Sequence, residues 1–182
     1  MSQRLSNIER VNTPTKSMTP GERMVEDLRW VHAMLRDDLA TLRRLSADII
    51  AGRSADHVTS AIRSLQTQGP LWQLRVNCLR YCQLVHHHHG AEDAMLFPAL
   101  RKSNPALGPA VDRLERDHRR VSDLLDHVEA LATQLKQNDD NAGVRHALAT
   151  ALTDLSDHLL EHLAFEEESI IPTMRSWTRG LW

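Results

Sequence analysis

Aromatic residues are scarce: Phe, Trp and Tyr together make up 4% of the 182 residues. Glycine and proline number seven each, and cysteine two. A β-sandwich needs aromatic and β-branched strands joined by many turn residues, so this composition argues against one and favours helices. Cys78 and Cys82 stand four apart in a helical pattern. They form neither a disulfide framework nor a C-x-x-C redox motif, and read as small buried apolar residues. An excess of one charge is also missing, with 22 Lys and Arg against 24 Asp and Glu. Nothing here attracts a nucleic-acid backbone or an anionic membrane surface. No run of about 18 apolar residues exists to span a bilayer. The first twenty residues lack a signal peptide's apolar stretch, so a cytoplasmic location is the expectation. What the chain does have is 41% hydrophobic residues, enough for one sizeable core, and eleven histidines, a residue that is normally scarce.

Residues 1–18 are polar and read as a flexible tail. Thr19-Pro20-Gly21-Glu22 is a helix start, with Thr19 as cap, Pro20 in the first helical position and Glu22 completing a capping box. Leu28, His32, Leu35, Leu39, Leu42 and Ile49 then recur at helical spacing, and Gly52 ends that helix. Residues 54–66 suit a short extra helix, stopped by Gly69-Pro70. The next segment, from about Leu71 to Lys102, carries an inward stripe of Leu71, Leu74, Cys78, Cys82, Val85, His88, Glu92, Leu96 and Ala99. Pro98 within it should kink or tighten the helix end. After the Ser103-Asn104-Pro105 turn, Leu107, Val111, Leu114, His118, Val121, Leu125, Val128, Leu131 and Leu135 form an unbroken stripe. A polar loop from Asn138 to Gly143 leads to a last helix, from about Val144 to Met174, with Leu148, Leu152, Leu155, His162, Glu166 and Ile170 on one face. Four long helices with mostly short connections predict an all-α, antiparallel up-down-up-down four-helix bundle. Its domain would span residues 19–175, followed by a short tail, 176–182, in which Trp177 and Trp182 cover the bundle end.

Each long helix interrupts its apolar stripe with one histidine: His32, His88, His118 and His162. Two of these have a glutamate four residues on, Glu92 and Glu166. On a helix that spacing is about 40° of rotation and roughly 6 Å of rise, so imidazole and carboxylate project from one face. A buried glutamate is costly unless paired or metal-bound, and two of them matched with histidines call for cations. Height supports the grouping. His88 and His118 are symmetric about the Ser103 turn, and His118 and His162 about residue 140. Residues equidistant from an antiparallel turn share a level, and His32 sits far enough inside the first helix to reach the same layer. A lone inward histidine is more often a hydrogen-bonded core residue than a ligand, and only the set of six overrides that reading.

The segments His88-His89-Gly90-Ala91-Glu92-Asp93-Ala94-Met95-Leu96-Phe97-Pro98 and His162-Leu163-Ala164-Phe165-Glu166-Glu167-Glu168-Ser169-Ile170-Ile171-Pro172 resemble the paired H-x-x-x-E-[ED]…[LI]-[FI]-P motifs of the hemerythrin-like (HHE cation-binding) family. His32 and the Glu115-Arg116-Asp117-His118 segment are similar to that family's first- and third-helix ligands, and the likeness covers about residues 24–175. The resemblance implies a non-haem di-iron site. His32 and His88 would bind one iron, His118 and His162 the other, and Glu92 and Glu166 would bridge them with an oxo or hydroxo group. Imidazole and carboxylate ligands suit iron and leave positions for a diatomic molecule or a peroxide. The resemblance is incomplete. Oxygen-carrying hemerythrins have a second histidine one turn after the third-helix ligand, and an aspartate for the last glutamate, where this chain has Ser122 and Glu166. His158, one turn before His162, is a candidate for the missing imidazole or for a hydrogen-bonding neighbour of the ligands. His89, about 100° around the helix from His88, is placed at the border of the site in the same two roles. His86 and His87 turn away, His127 is exposed, His57 and His146 lie outside the ligand layer, and Asp93, Glu167 and Glu168 read as a solvated acidic face, one of which could accept a hydrogen bond from a ligand.

Three functions compete at this stage. One is an oxygen, redox or iron sensing or storage protein. Another is an enzyme with catalase- or peroxidase-like turnover of hydrogen peroxide or nitric oxide. The last is a structural zinc-binding bundle. A binder forms a stable adduct and an enzyme consumes substrate repeatedly, so turnover separates the first two. All three expect a small ligand or metal as partner, and none expects nucleic acid or membrane.

Overall fold

A computed structural model of the chain describes residues 18–50, 82–137 and 141–180. The described residues are all helical, with no strand among them. The expected short helix at 54–66, the Gly69-Pro70 stop, Leu71, Leu74 and Cys78, both ends of the chain and the side chains of Leu42 and Ile49 lie outside them.

The first helix, α1, is Pro20–Ile50. Its start is the predicted capping box. The Glu22 amide donates to Thr19 Oγ1 at 3.1 Å, and the Thr19 amide donates to Glu22 Oε2 at 2.7 Å. Two amides that the first helical turn leaves without partners are thereby satisfied. The second helix, α2, is α-helical over 82–91, π-helical over Glu92–Leu96 and α-helical again over Phe97–Ser103. A 3-10 turn, Pro105–Leu107, leads into α3, Gly108–Gln137. The fourth helix, α4, is Ala142–Arg175, capped by the Asn141 side chain, which accepts from the Val144 amide at 3.1 Å.

Pro98 does more than tighten a helix end. It has no amide hydrogen, and its ring presses on the carbonyl four residues before it. The ladder widens just ahead of it: the Phe97 amide donates to the Glu92 carbonyl, a five-residue step. Pro172 occupies the same place in the second motif, yet α4 stays α-helical there. Proline therefore permits the π turn without dictating it.

Helix α4 packs along both α1 and α3. The start of α1 meets the end of α4, where the Gly21 amide donates to the Trp177 carbonyl at 3.1 Å. Trp177 also donates through Nε1 to Ser103 Oγ, at 3.1 Å, and packs on apolar residues of the same end. The apolar interior falls into two clusters. One holds Leu35, Leu39, Cys82, Val85, Val121, Leu125 and Leu155 with their neighbours. The other holds Met24, Val25, Leu28, Phe97, Leu100, Val111, Leu114 and Ile170. The buried polar residues, His32, His89, Glu92, His118, Ser156, His162 and Glu166, belong to neither. No described helix is long and apolar enough to cross a membrane.

Candidate metal centre

Four helices bring the six predicted donors together. His32 comes from α1, His88 and Glu92 from α2, His118 from α3, and His162 and Glu166 from α4. All but His88 are buried, and the His88 side chain is only 8% exposed. His32, His88, Glu92 and Glu166 can each offer one ligand atom within 4.8 Å of the others. His118 and His162 form a second such group with His89.

The glutamates join the two groups. Glu92 Oε1 lies 3.4 Å from His88 Nε2, while its Oε2 lies 3.5 Å from His118 Nε2. Glu166 Oε2 lies 3.4 Å from His32 Nε2 and 3.6 Å from His162 Nε2. Each carboxylate thus stands between a histidine of one group and a histidine of the other.

His32 Nε2 and His88 Nε2 lie 3.1 Å from each other, and the other atoms of these contacts lack hydrogen-bond partners. Both oxygens of Glu92 and of Glu166, Nε2 of His118 and of His89, and both ring nitrogens of His162 are buried without a hydrogen bond. A buried polar atom left unsatisfied costs about 1–3 kcal/mol. Eight of them amount to a penalty on the order of 10 kcal/mol, comparable with the roughly 5–15 kcal/mol that holds a whole domain folded. Cations accepting lone pairs from the carboxylates and from one nitrogen of each ring remove most of the penalty, and a donor set of imidazoles and carboxylates fits a divalent or trivalent transition metal.

Protonation states agree. Burial is the chief influence on His88, His89, His118 and His162, and it disfavours the charged form. It lowers His88 from 6.5 to about 4 and His118 to about 3, and it lowers His89 and His162 as well. Neutral imidazoles present the lone pair that a metal takes. The two glutamates split. Burial, and then the charge of Glu166, push Glu92 well above the usual carboxylate range. Burial also works to raise Glu166, but His32, His162 and His88 outweigh it and hold that carboxyl at about 2. Without a cation, two such carboxylates cannot both stay ionised at ordinary pH.

Two further acidic residues orient the histidines. His32 Nδ1 donates to Glu167 Oε1 at 2.8 Å, and Arg36 holds the same oxygen at 2.8 Å. His118 Nδ1 donates to Asp93 Oδ1 at 2.9 Å. A carboxylate only accepts, so Nδ1 carries the proton and Nε2 turns its lone pair toward the glutamates. Asp93 remains about half exposed and Glu167 is partly buried, and where one such acceptor was expected among the acidic residues, both reach across to a histidine of another helix. Glu168 is exposed, as expected. The signal in the sequence was the repeated dipeptide, since each residue directly follows one of the two buried glutamates.

The remaining histidines sort as follows. His89 is buried, its ring stacked on His118 with centroids 3.8 Å apart. His158 is half-buried with Nε2 unpartnered, and it belongs to neither group of potential ligands. His87, His127 and His146 are exposed, and His86 is partly exposed with Asp126 at 3.9 Å. His57 lies outside the described residues. Ser122 is half-buried on α3.

A cavity of about 210 Å³ reaches this layer. Met24, Leu28, Val31, Ala91, Leu96 and Met174 give it apolar walls, Asp27 is the acidic residue on its lining, and His88 and Glu92 are its site-facing polar groups.

Neither curated proteins nor solved structures return a significant match to the chain. The hemerythrin HHE cation binding domain matches residues 23–174, which contain all of the histidines and glutamates just described. With most of its length matched and its buried donors gathered in one layer, the chain belongs to the hemerythrin HHE cation-binding domain family.

Proposed function

We propose that this chain holds two iron ions, one at His32 and His88 and the other at His118 and His162, with Glu92 and Glu166 shared between them. In this reading the protein reacts with small oxidants: hydrogen peroxide, nitric oxide or oxygen. The observation that carries it is the position of the two buried glutamates, each 3.4–3.6 Å from one histidine of either group and otherwise unpartnered. One shared carboxylate suits a single ion as well as two. A pair of them, each spanning the same two groups, suits two ions side by side. The up-down-up-down topology belongs to the same reading, supported by the meeting of Gly21 with Trp177 and of Asn104 with Thr173, whose side chains lie 3.0 Å apart.

Bound there, iron would supply redox chemistry and positions open to a small molecule, since the protein offers few donors for two ions. The residues of the chain do the rest. Glu167 and Asp93 hold two imidazoles in one tautomer, and the apolar clusters on either side keep bulk water out. The cavity against His88 and Glu92 admits small uncharged molecules and disfavours ions, because its walls are largely apolar.

The test is metal content, with an optical spectrum, of protein purified without added metal. Two irons per chain and the near-ultraviolet absorption of a bridged ferric pair are expected. One zinc and no iron would reject the proposal.

A further inference from the structure

Two of the buried histidines have a carboxylate behind them, each from a neighbouring helix. Asp93 of α2 accepts from His118 of α3, and Glu167 of α4 accepts from His32 of α1. Each of these acids directly follows a buried glutamate of its own helix. His162 of α4 has no such bond, and both of its ring nitrogens are buried and unpartnered. Its Nε2 lies 3.6 Å from Glu166. Its Nδ1 lies 4.0 Å from Oδ2 of Asp117 on α3. Asp117 too is next in sequence to a donor of its own helix, His118.

Asp117 is braced as Glu167 is. Arg36 holds Glu167 at 2.8 Å, and Arg113 Nε lies 3.5 Å from Asp117 Oδ2. An Arg–Asp pair one turn apart on a helix surface stabilises little by itself. This one leans on α4. Arg113 Nη2 donates to Glu161 Oε1 at 2.8 Å, and its guanidinium lies 3.8 Å over the centre of the Phe165 ring. Glu161 and Phe165 bracket His162 in the chain. The arginine that steadies Asp117 is thereby docked on the turn that carries the orphaned imidazole. Asp117 itself is mostly enclosed, with 18% of its side chain exposed.

Metal binding creates the need for an acceptor. A neutral imidazole that gives its Nε2 lone pair to a cation keeps its proton on Nδ1. On His162 that nitrogen has no hydrogen-bond partner. The 4.0 Å to Asp117 is too long for a hydrogen bond and too short for an intervening water, since two bonds in series span roughly 4.5 Å. A side-chain movement of about 1 Å closes the gap. We infer that Asp117 accepts the Nδ1 proton of His162 when Nε2 holds a metal, and is a positioning residue for that ligand. The inference rests on His162 as a ligand in the two-ion reading above. His32, His118 and His162 are then each fixed by a carboxylate from a neighbouring helix. The three contacts run in one sense through the bundle, from α2 to α3, from α3 to α4 and from α4 to α1.

Zinc-loaded protein with ¹⁵N-labelled histidine tests this, zinc serving as a diamagnetic substitute for iron on the same donors. In wild type, His162 should show a metal-bound Nε2 and a downfield, slowly exchanging Nδ1 proton, as His32 and His118 should. Asp117→Ala should keep its helicity, send the His162 proton alone into fast exchange, and weaken zinc binding by about 10–100-fold. A merely structural role for Asp117 would not single out that resonance. Asp117→Glu keeps the carboxylate and should recover the slow proton, and a signal lost equally in both variants overturns the assignment. A metal-bound His162 whose Nδ1 proton exchanges rapidly in wild type, or is unmoved by Asp117→Ala, overturns the inference and leaves the two-ion reading standing. A signal lost in His158→Ala in place of Asp117→Ala also overturns it, because the buried, unpartnered Nε2 of His158 would then be the acceptor. A His162 ring with no metal-bound nitrogen overturns both.

Discussion

Nδ1 of His118 lies 2.9 Å from Oδ1 of Asp93, a residue half exposed to solvent on a different helix. The contact decides which nitrogen of a buried ring faces Glu92, and it does so from outside the buried layer. Arg36 and Glu167 act the same way on His32.

Asp93→Asn and Glu167→Gln should therefore keep the fold and lower metal affinity by about 10–100-fold. Each amide could donate as well as accept, so it no longer forces the proton onto Nδ1. Competition with a chelator of known affinity measures the effect. Wild-type affinity in both variants would show that the tautomer is set elsewhere.

Glu92→Ala and Glu166→Ala should both lose the metal pair. In the metal-free bundle Glu166→Ala gives up a carboxylate that His32, His162 and His88 hold in its charged form and should not stabilise it, whereas Glu92→Ala should leave the bundle as stable as before or more so. Buried without its cation, Glu92 is a cost, and removing it relieves that cost. Urea midpoints of the metal-free proteins give the comparison. His127→Ala, at an exposed position on α3, is the control and should change neither metal content nor midpoint.

The metal-free protein should lose stability as the pH falls from about 6.5 toward 4. The sign follows from His88 and His118, which burial lowers from 6.5 to about 4 and about 3. In that window the unfolded chain takes up protons on these rings and the folded chain does not, so acid favours unfolding. His89 and His162 shift the same way. Glu92 opposes them, because its raised pKa lets the folded state bind a proton first, but it is one group against several. Denaturation midpoints of the metal-free protein across this range provide the check. A flat profile would mean that water hydrates the layer.

Gly21→Ala should destabilise the protein by about 1–3 kcal/mol, the usual range for forcing an added group into a packed contact. A Cβ at Gly21 would collide with the Met174 carbonyl oxygen and approach that of Trp177 to 2.9 Å. Both neighbours are backbone, so one helix end has to move. Thermal or urea unfolding measures the loss, and an unchanged midpoint would show that the end of α4 yields freely.

The reduced, iron-loaded protein should consume peroxide or nitric oxide rather than cycle reversibly with oxygen. Ser122 offers no imidazole on α3, and Glu166 is longer than the aspartate of the oxygen carriers that the sequence resembles. Repeated oxygenation and deoxygenation followed by absorbance, alongside peroxide turnover, separates the two. Clean cycling without turnover would favour an oxygen binder.

Much of this was legible in the sequence because it is local. The capping box at Thr19 and Glu22, the apolar stripes and the two H-x-x-x-E pairs depend on spacing along one helix. Symmetry about two turns was enough to place His88, His118 and His162 in one layer. Three features were not legible. His89 sits about 100° from His88, and a narrow stripe puts it at the edge, whereas the buried face of these motifs is wide enough to include the next residue, as Leu163 shows. Asp93 and Glu167 looked solvated because the helical period turns them outward, yet their side chains reach a neighbouring helix. The π turn at Glu92–Leu96 depends on how α2 fits its neighbours, since the matching proline in α4 produces none.

The polar layer divides the apolar interior into two clusters. Two cores set apart by a layer of charged and orphaned groups are joined by the helices that run through both and by that layer, so each can loosen with some independence. With cations in place, the layer becomes the strongest connection between them, because four helices share the same ions. Metal occupancy would then govern the cooperativity of unfolding as well as its midpoint: a single sharp transition when loaded, and a broader one, in which the ends of the bundle come apart separately, when stripped.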